Sequence, residues 1–489
     1  MKLKELIQDI PVTAMTADPE MDIRDIRYDS RAVEPGDLFV AVEGFQSDGH
    51  RFIPMAVEKG AAAVLCQRPP EIDVPYVLTA DSRKALALVS SAYFDHPSGK
   101  MTMVGVTGTN GKTTTTLLIK HMLEDALGAK VGLVGTISNW IGDQEIPTER
   151  TTPESYDLQK LFRQMADAGC EYAVMEVSSH ALALDRVAGV QFQAGIFTNL
   201  TQDHLDFHKT MEEYASAKAM LFSRCDKAAV NVDDPWAAFM LERAQCPVLT
   251  FSAGEKDAYL RADDVKLSAS AVDFTACLKD ERVSAHLAVP GAFSVSNALM
   301  VLAAGELLGI GLDRAAAALG RATGVKGRVE VVPTDGDYTV IIDYAHTPDA
   351  LEKVLHTMKD VSAGRVVALF GCGGDRDATK RPIMGAIAAR EADFSVVTSD
   401  NPRTEDPDAI IEDILRGMPA DAPKKVITSR PEAICWAIDN HQPGDVIVLA
   451  GKGHETYQEV HGVKRHMDER QIVAEHIQHR KQRNERNSL

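Results

Sequence analysis

Gly108, Thr109, Asn110, Gly111, Lys112, Thr113 and Thr114 stand between a short apolar run, Met103 to Val106, and a stretch of helical spacing from Lys112 to Ala126. The closing Gly-Lys-Thr matches a phosphate-binding loop. Glycines let backbone N–H groups approach phosphate oxygens, and the start of a helix adds positive potential. Lys112 would reach the outer phosphates of a nucleotide, and the Thr113 hydroxyl would face Mg²⁺. The pattern usually has glycine five residues before Gly111; Val106 stands there, and Gly108 takes over the turn. The bland alternative is a Gly-rich turn with a surface lysine. A strand on one side and a helix on the other favour phosphate binding.

Other groups could join that chemistry. Glu176 ends the apolar run Tyr172 to Val177, where a carboxylate can point into a crevice or simply face solvent. His204 follows a third run, Ala194 to Thr198, among Asp203, Asp206 and His208. Both are suitable Mg²⁺ or Mn²⁺ ligands, and His204 suits an ordinary hydrogen-bonding role equally well. Lys218 lies in a helix opened by a Thr210–Glu213 capping box. By its own chemistry it reads as an exposed helical lysine. Asp400-Asn401-Pro402-Arg403 reads as a strand-to-turn connection. Cys372, with no activating base nearby in sequence, reads as a small filler.

These groups need elements to hold them. The chain has 489 residues, 45% apolar and 25% charged, and at roughly 150 residues per domain that suggests about three domains. The expected fold is α/β. Residues 1–98 form a small N-terminal α/β domain. Residues 99–326 form a central P-loop domain with a mostly parallel sheet and helices. Residues 327–489 form a doubly wound, Rossmann-like C-terminal domain with strands at 339–343, 366–370, 394–399 and 445–449. The tail from His479 is polar and basic and is expected to fray. A net charge of −19 argues against bulk nucleic-acid binding. No apolar run is long enough for membrane insertion. The start of the chain lacks a signal-peptide pattern, and seven scattered cysteines without a CxxC pair point to a reducing cytoplasm.

Six motifs in order complete the pattern: Gly108 to Thr113, Met175 to His180, Thr198 to His208 with Tyr214 to Phe222 after it, Asp343 to Pro348, Gly371 to Asp377, and Gly451 to Glu455. Together they resemble the Mur ligases and the related folylpolyglutamate synthetases, ATP-dependent amide-forming enzymes of three domains. The likeness covers the whole chain. Asp400 to Arg403 is similar to the branch that adds meso-diaminopimelate as the third residue of the peptidoglycan peptide. The resemblance implies that ATP activates the terminal carboxylate of UDP-N-acetylmuramoyl-L-alanyl-D-glutamate as an acyl phosphate, which the incoming amine then attacks.

The resemblance also assigns roles. Lys112, Glu176, His204 and Lys218 would be catalytic, with Thr113, Glu176, His204 and a CO₂-derived carbamate on Lys218 around Mg²⁺. Asn297, Arg328, Asp343 and His346 would join the loop around ATP, Arg328 only on domain closure. Tyr28, Ser30, Phe45, Gln46, Ser47, Thr151, Thr152, Ser178 and Arg186 would hold the UDP-sugar-peptide. Leu184 stands where some members carry a polar glutamine. Arg376, Asp400, Asn401, Pro402, Arg403, Gly451 and Glu455 would hold the amino acid. There, a buried Arg403 stranded without the distal carboxylate would exclude lysine. The partners would be small molecules, the enzyme a cytoplasmic monomer. Competing readings are the same ligase adding L-lysine, a folylpolyglutamate synthetase, and a regulatory P-loop ATPase without ligase chemistry.

Overall fold

The computed structural model describes residues 1–44, 47–148, 150–254 and 257–487. The chain divides into two compact units, one of Met1–Arg261 with Met300–Ala315, the other of Ala262–Leu299 with Ala316–Leu489.

The first unit holds two sheets. The N-terminal one has the order Val12–Met15, Tyr76–Thr79, Ala63–Cys66, Leu38–Val40, Ile26–Arg27. Only the Val12–Met15 edge runs antiparallel. The larger sheet places Thr102–Thr107 between Phe192–Phe197 and Tyr172–Glu176, parallel to both. Cys225–Asn231 and Val248–Ser252 extend it on one side and Val131–Val134 on the other, again parallel. Antiparallel Asn139–Ile141 and Gln144–Ile146 finish that edge. The central strands are apolar and buried along their length, as strands covered on both faces must be. Parallel strands share one carboxyl edge. The loops after 107, 134, 176 and 197 therefore open side by side.

The second unit is built on the order Glu330–Val332, Thr339–Asp343, Val446–Ala450, Val366–Phe370, Phe394–Val397, Lys424–Val426, parallel except at the first pair. Val446–Ala450 is inserted between the strands 339–343 and 366–370, which makes a switch point in strand order. Crevices at the carboxyl ends of such strands are where open α/β sheets bind ligands. Helices Arg430–Asp439 and Glu469–Asn487 cover one face, with Ile434, Ile438, Val473 and Ile477 in its core. Where fraying is expected from His479, the last helix instead runs on to Asn487. The unit also carries the antiparallel hairpin Val272–Leu278 with Glu281–Leu287.

One ion pair lies entirely inside this unit. Arg430 and Glu469 are both 0% exposed, with Nε donating to Oε1 at 2.7 Å. Arg430 also donates to the Ala450 carbonyl at the end of a central strand, at 2.9 Å. Glu469→Leu is expected to destabilise the protein by about 3–5 kcal/mol, because it leaves a buried guanidinium uncompensated. The double variant Arg430→Met with Glu469→Leu should recover most of that loss, read as the thermal midpoint. Equal melting of the single and double variants would deny the pair this role.

Candidate functional site

Around the phosphate loop, packing is tight enough to require glycine. Gly108 has φ +151, and a Cβ there would lie 1.8 Å from Thr198 Oγ1. Thr198 Oγ1 and Asn199 Nδ2 both donate to the Asn110 carbonyl, at 2.6 and 3.2 Å. Asn199 Oδ1 accepts from the Asn110 N–H at 3.0 Å. Thr109 Oγ1 donates to the Thr201 carbonyl at 3.3 Å and lies 3.2 Å from the Tyr214 hydroxyl. The loop is thus laced to the segment after the neighbouring strand. Helix Lys112–Leu127 starts directly behind it.

Glu176 is 1% exposed. Its carboxylate accepts from the Thr113 hydroxyl at 3.0 Å, and from the Thr136 N–H at 2.8 Å and hydroxyl at 3.0 Å. Sequence reasoning missed Thr136. Its position, two residues past a strand paired with that of Glu176, was the available signal. Among the described residues no cluster of three or more His, Cys, Asp or Glu side chains could hold a metal unaided. The Thr113 hydroxyl and the Glu176 carboxylate are adjacent hard donors. That set fits Mg²⁺, which keeps waters and shares itself with substrate phosphates rather than filling an all-protein cage.

Lys218 overturns its reading as an exposed helical lysine. It sits in helix Met211–Ala219, and its side chain is buried, with Nζ donating to the Gly108 carbonyl at 2.8 Å. Lys112 Nζ donates to the same oxygen at 2.9 Å and to the Thr109 carbonyl at 2.8 Å. Burial, then the Lys112 charge, pushes the Lys218 amine well below the usual lysine range. The helix is capped as expected by Thr210, whose Oγ1 accepts from the Glu213 N–H at 3.1 Å. The Thr210 N–H goes to the His208 carbonyl at 2.7 Å, so the reciprocal half of the box is replaced. His204, with φ +52 and a half-exposed side chain, stands edge-on to His180 at 4.9 Å and 3.5 Å from Asp203.

In the same unit lie the residues expected at the UDP-sugar-peptide. Thr152 Oγ1 donates to the Glu176 carbonyl at 2.8 Å and accepts from the Ser178 N–H at 3.2 Å. Arg186 donates to the Thr152 carbonyl at 3.1 Å and faces Glu154 at 3.4 Å; burial lowers its pKa. Thr151 Oγ1 lies 3.0 Å from Thr136 Oγ1. The carboxylate, threonines and arginine are therefore one connected set. Tyr28, whose hydroxyl donates to Asp157 at 2.5 Å, lines a cleft of about 250 Å³ with Arg150 and Glu154. Ser30 is buried near Met55 and Ser47 is exposed. Phe45 and Gln46 lie outside the described residues.

The second unit gathers the remaining expected residues other than Asn297 at its own carboxyl edge. Asp343 is buried, accepting from the Val329 and Ala345 N–H groups at 2.8 and 2.9 Å; burial raises its pKa. Val329 has φ +46, rare for a β-branched residue, and Asp343 holds it there. Arg328 lies over the Tyr344 ring at 5.3 Å, His346 is exposed, and Asn297 is buried on helix Phe293–Leu307. The loops after 370 and 397 are zipped together: the Gly374 N–H donates to the Asn401 carbonyl at 2.9 Å, and Arg403 donates back to the Gly374 carbonyl at 2.6 Å. A Cβ on Gly374 would lie 2.0 Å from the Pro402 carbonyl oxygen, so only glycine allows this approach. Arg376 is exposed beside them. Arg403 is not the stranded charge expected. Its side chain is 22% exposed and Nε lies 3.5 Å from Glu459. Asn401 and Asp400 are buried, and Asn401 Nδ2 donates to Glu455 at 3.0 Å. A Cβ on Gly451 would lie 2.6 Å from Asp400 Oδ2.

Comparison with known proteins accounts for nearly every residue. The Mur ligase family catalytic domain matches residues 22–108, the Mur ligase middle domain 106–305, and the Mur ligase glutamate ligase domain 327–453. The chain is 46% identical to UDP-N-acetylmuramoyl-L-alanyl-D-glutamate--2,6-diaminopimelate ligase 1 of Clostridium acetobutylicum, over 98% of this chain and 99% of that one. It is 47% identical to the 2,6-diaminopimelate ligase of the same type from Caldanaerobacter subterraneus subsp. tengcongensis, over 97% and 98%. A solved structure of a UDP-N-acetylmuramoyl-L-alanyl-D-glutamate--2,6-diaminopimelate ligase superposes with a TM-score of 0.78 at 32% identity, covering 98% of this chain and 99% of that one. The MurF ligase of Thermotoga maritima, solved with ADP, shares the fold at 19% identity and a TM-score of 0.57, over 94% and 98%. The protein belongs to the Mur ligase family of ATP-dependent, amide-forming ligases.

Proposed function

We propose that the chain joins 2,6-diaminopimelate, in its meso form, to UDP-N-acetylmuramoyl-L-alanyl-D-glutamate in peptidoglycan precursor synthesis. The observation that carries this reading is near-full-length identity of 46–47% to relatives named for that reaction. The loops 371–377, 400–405 and 451–455 lend it a group of side chains of suitable chemistry. The substrate carboxylate attacks the γ-phosphorus of ATP, giving an acyl phosphate and ADP. The amine then attacks the acyl carbon, and phosphate leaves. The chain works as a monomer on small molecules in the cytoplasm, a setting its seven unbonded cysteines support.

In this reading Gly108 to Thr114 cradle the phosphates, and Lys112 follows charge onto the transferring group. Thr113, Glu176 and His204 would hold Mg²⁺, which would neutralise phosphate charge. Lys218, its basicity lowered by burial, adds CO₂ and releases a proton, which turns an amine into a carboxylate-like carbamate on a long arm. Asn297, Arg328, Asp343 and His346 serve the nucleotide. Tyr28, Ser30, Phe45, Gln46, Ser47, Thr151, Thr152, Ser178 and Arg186 serve the UDP-sugar-peptide. Arg376 and Arg403 grip carboxylates, and Glu455 accepts from an ammonium.

Lys112→Ala should fold normally yet lose about 3–4 kcal/mol of transition-state stabilisation, two to three decades in rate. Phosphate release dependent on both co-substrates measures it, and near-normal turnover would remove Lys112 from the phosphates.

The substrate assignment is tested with a panel of amino acids. Because Glu459 already faces Arg403, lysine forfeits charge-assisted bonds rather than stranding a charge. Its deficit from this residue is therefore about 1.5–3 kcal/mol, roughly 10- to 100-fold. Arg403→Ala should raise the KM for diaminopimelate by that factor and leave the KM for ATP unchanged. Equal use of lysine and diaminopimelate by the wild-type enzyme would transfer the reading to the lysine-adding branch.

A further inference from the structure

Lys452 follows Gly451 in the loop after the central strand Val446–Ala450, and its side chain is 0% exposed. Its Nζ donates to Asn401 Oδ1 at 2.8 Å and to Glu455 Oε2 at 2.7 Å. Asn401 Oδ1 also accepts from the Glu459 N–H at 2.9 Å, while its Nδ2 donates to the same Glu455 Oε2 at 3.0 Å. Two donors on one side and an acceptor on the other leave the amide a single consistent orientation. One oxygen of Glu455 is thus committed to two internal donors. The carboxylate charge is matched by a buried ammonium that cannot turn to water.

This matters for charge balance. The attacking amine must be neutral. Bound for attack, diaminopimelate then carries two carboxylates and one ammonium, whereas lysine carries one carboxylate and one ammonium. A diaminopimelate pocket therefore needs one more unit of positive charge than a lysine pocket. Arg376 and Arg403, both close to Gly373, supply positive charge beside it. Arg403 is shared with Glu459 at 3.5 Å, and Asp400 has Arg430 only at 4.0 Å. An unneutralised Glu455 would tip the balance toward cationic amino acids.

We propose that Lys452 is a specificity-determining residue. Its buried ammonium neutralises Glu455 and fixes the Asn401 amide, so the pocket selects the dicarboxylic amino acid over one bearing a single carboxylate. Lys452 acts through Asn401 and Glu455, without touching substrate. The inference rests on the assignment of this pocket to the amino acid.

The test compares kcat/KM for diaminopimelate and for lysine. Lys452→Met should raise the KM for diaminopimelate about 10- to 100-fold, keep the KM for ATP, and lower the diaminopimelate-to-lysine ratio at least about tenfold. A folded Lys452→Met enzyme with an unchanged ratio overturns the proposal. An unpaired Glu455 could unfold that variant, so the double variant Lys452→Met with Glu455→Gln, which restores neutrality, is compared with Glu455→Gln alone. The ratio should again be at least about tenfold lower in the double variant; equal ratios overturn the proposal. Asn401→Ala separates the two levels. A raised amino-acid KM there, together with equal ratios, refutes only the role of Lys452. An unchanged amino-acid KM refutes the pocket itself.

Discussion

Two lysine amines share one carbonyl oxygen. Lys112 and Lys218 both donate to Gly108 O, in a loop that has no room for a Cβ at that residue. Like charges this close repel strongly where water is excluded, and the deeper amine yields. Lys218 is the deeper one, which is why its proton is held so weakly. The arrangement sets a part-buried lysine and a fully buried, weakly basic one on the same loop oxygen. The lacing of Asn110 to Thr198 and Asn199 and of Thr109 to Thr201 keeps that carbonyl in place. Glu176 reaches the loop from the adjacent strand through Thr113.

The same architectural rule serves both units. Parallel strands end together, so residues distant in sequence meet at one edge: 108–113 with 136, 176 and 198–204 in one unit, and 343–346 with 371–377, 400–405 and 451–455 in the other. In each case the polar groups at the edge are held by hydrogen-bonding or charged partners, the exposed Thr136 and the buried Thr152 around Glu176, the buried Lys452 and Arg430 around Asn401 and Asp400. Those partners fix orientation before any substrate arrives, which lowers the ordering cost of binding.

Much of this was legible in the sequence because apolar runs bounded by glycines mark buried parallel strands. The strands at 339–343 and 366–370 fall on the expected residues, and the strand–loop–helix at 102–127 follows its glycine punctuation. What stayed hidden depends on tertiary packing. A helix of nine residues gave no sign that Lys218 points inward, since burial is decided by the loop it packs against. The Glu459 partner of Arg403 comes from a two-stranded ribbon, Tyr457–Val460 with Val463–His466, too short and too exposed to announce itself. Arg430 with Glu469 pairs residues 39 apart, which no spacing rule connects. The basic tail read as frayed because composition says nothing of Val473 and Ile477, which anchor the start of its helix in the core.

The carbamylation proposed at Lys218 is the point on which the ligase account turns, and CO₂ labelled with ¹³C tests it directly. After equilibration of the purified enzyme with labelled CO₂, NMR should show a protein-bound carbon that is absent from Lys218→Ala, and activity should fall when CO₂ is removed. Full activity under strict CO₂ exclusion, with no protein-bound carbon after equilibration, would contradict it.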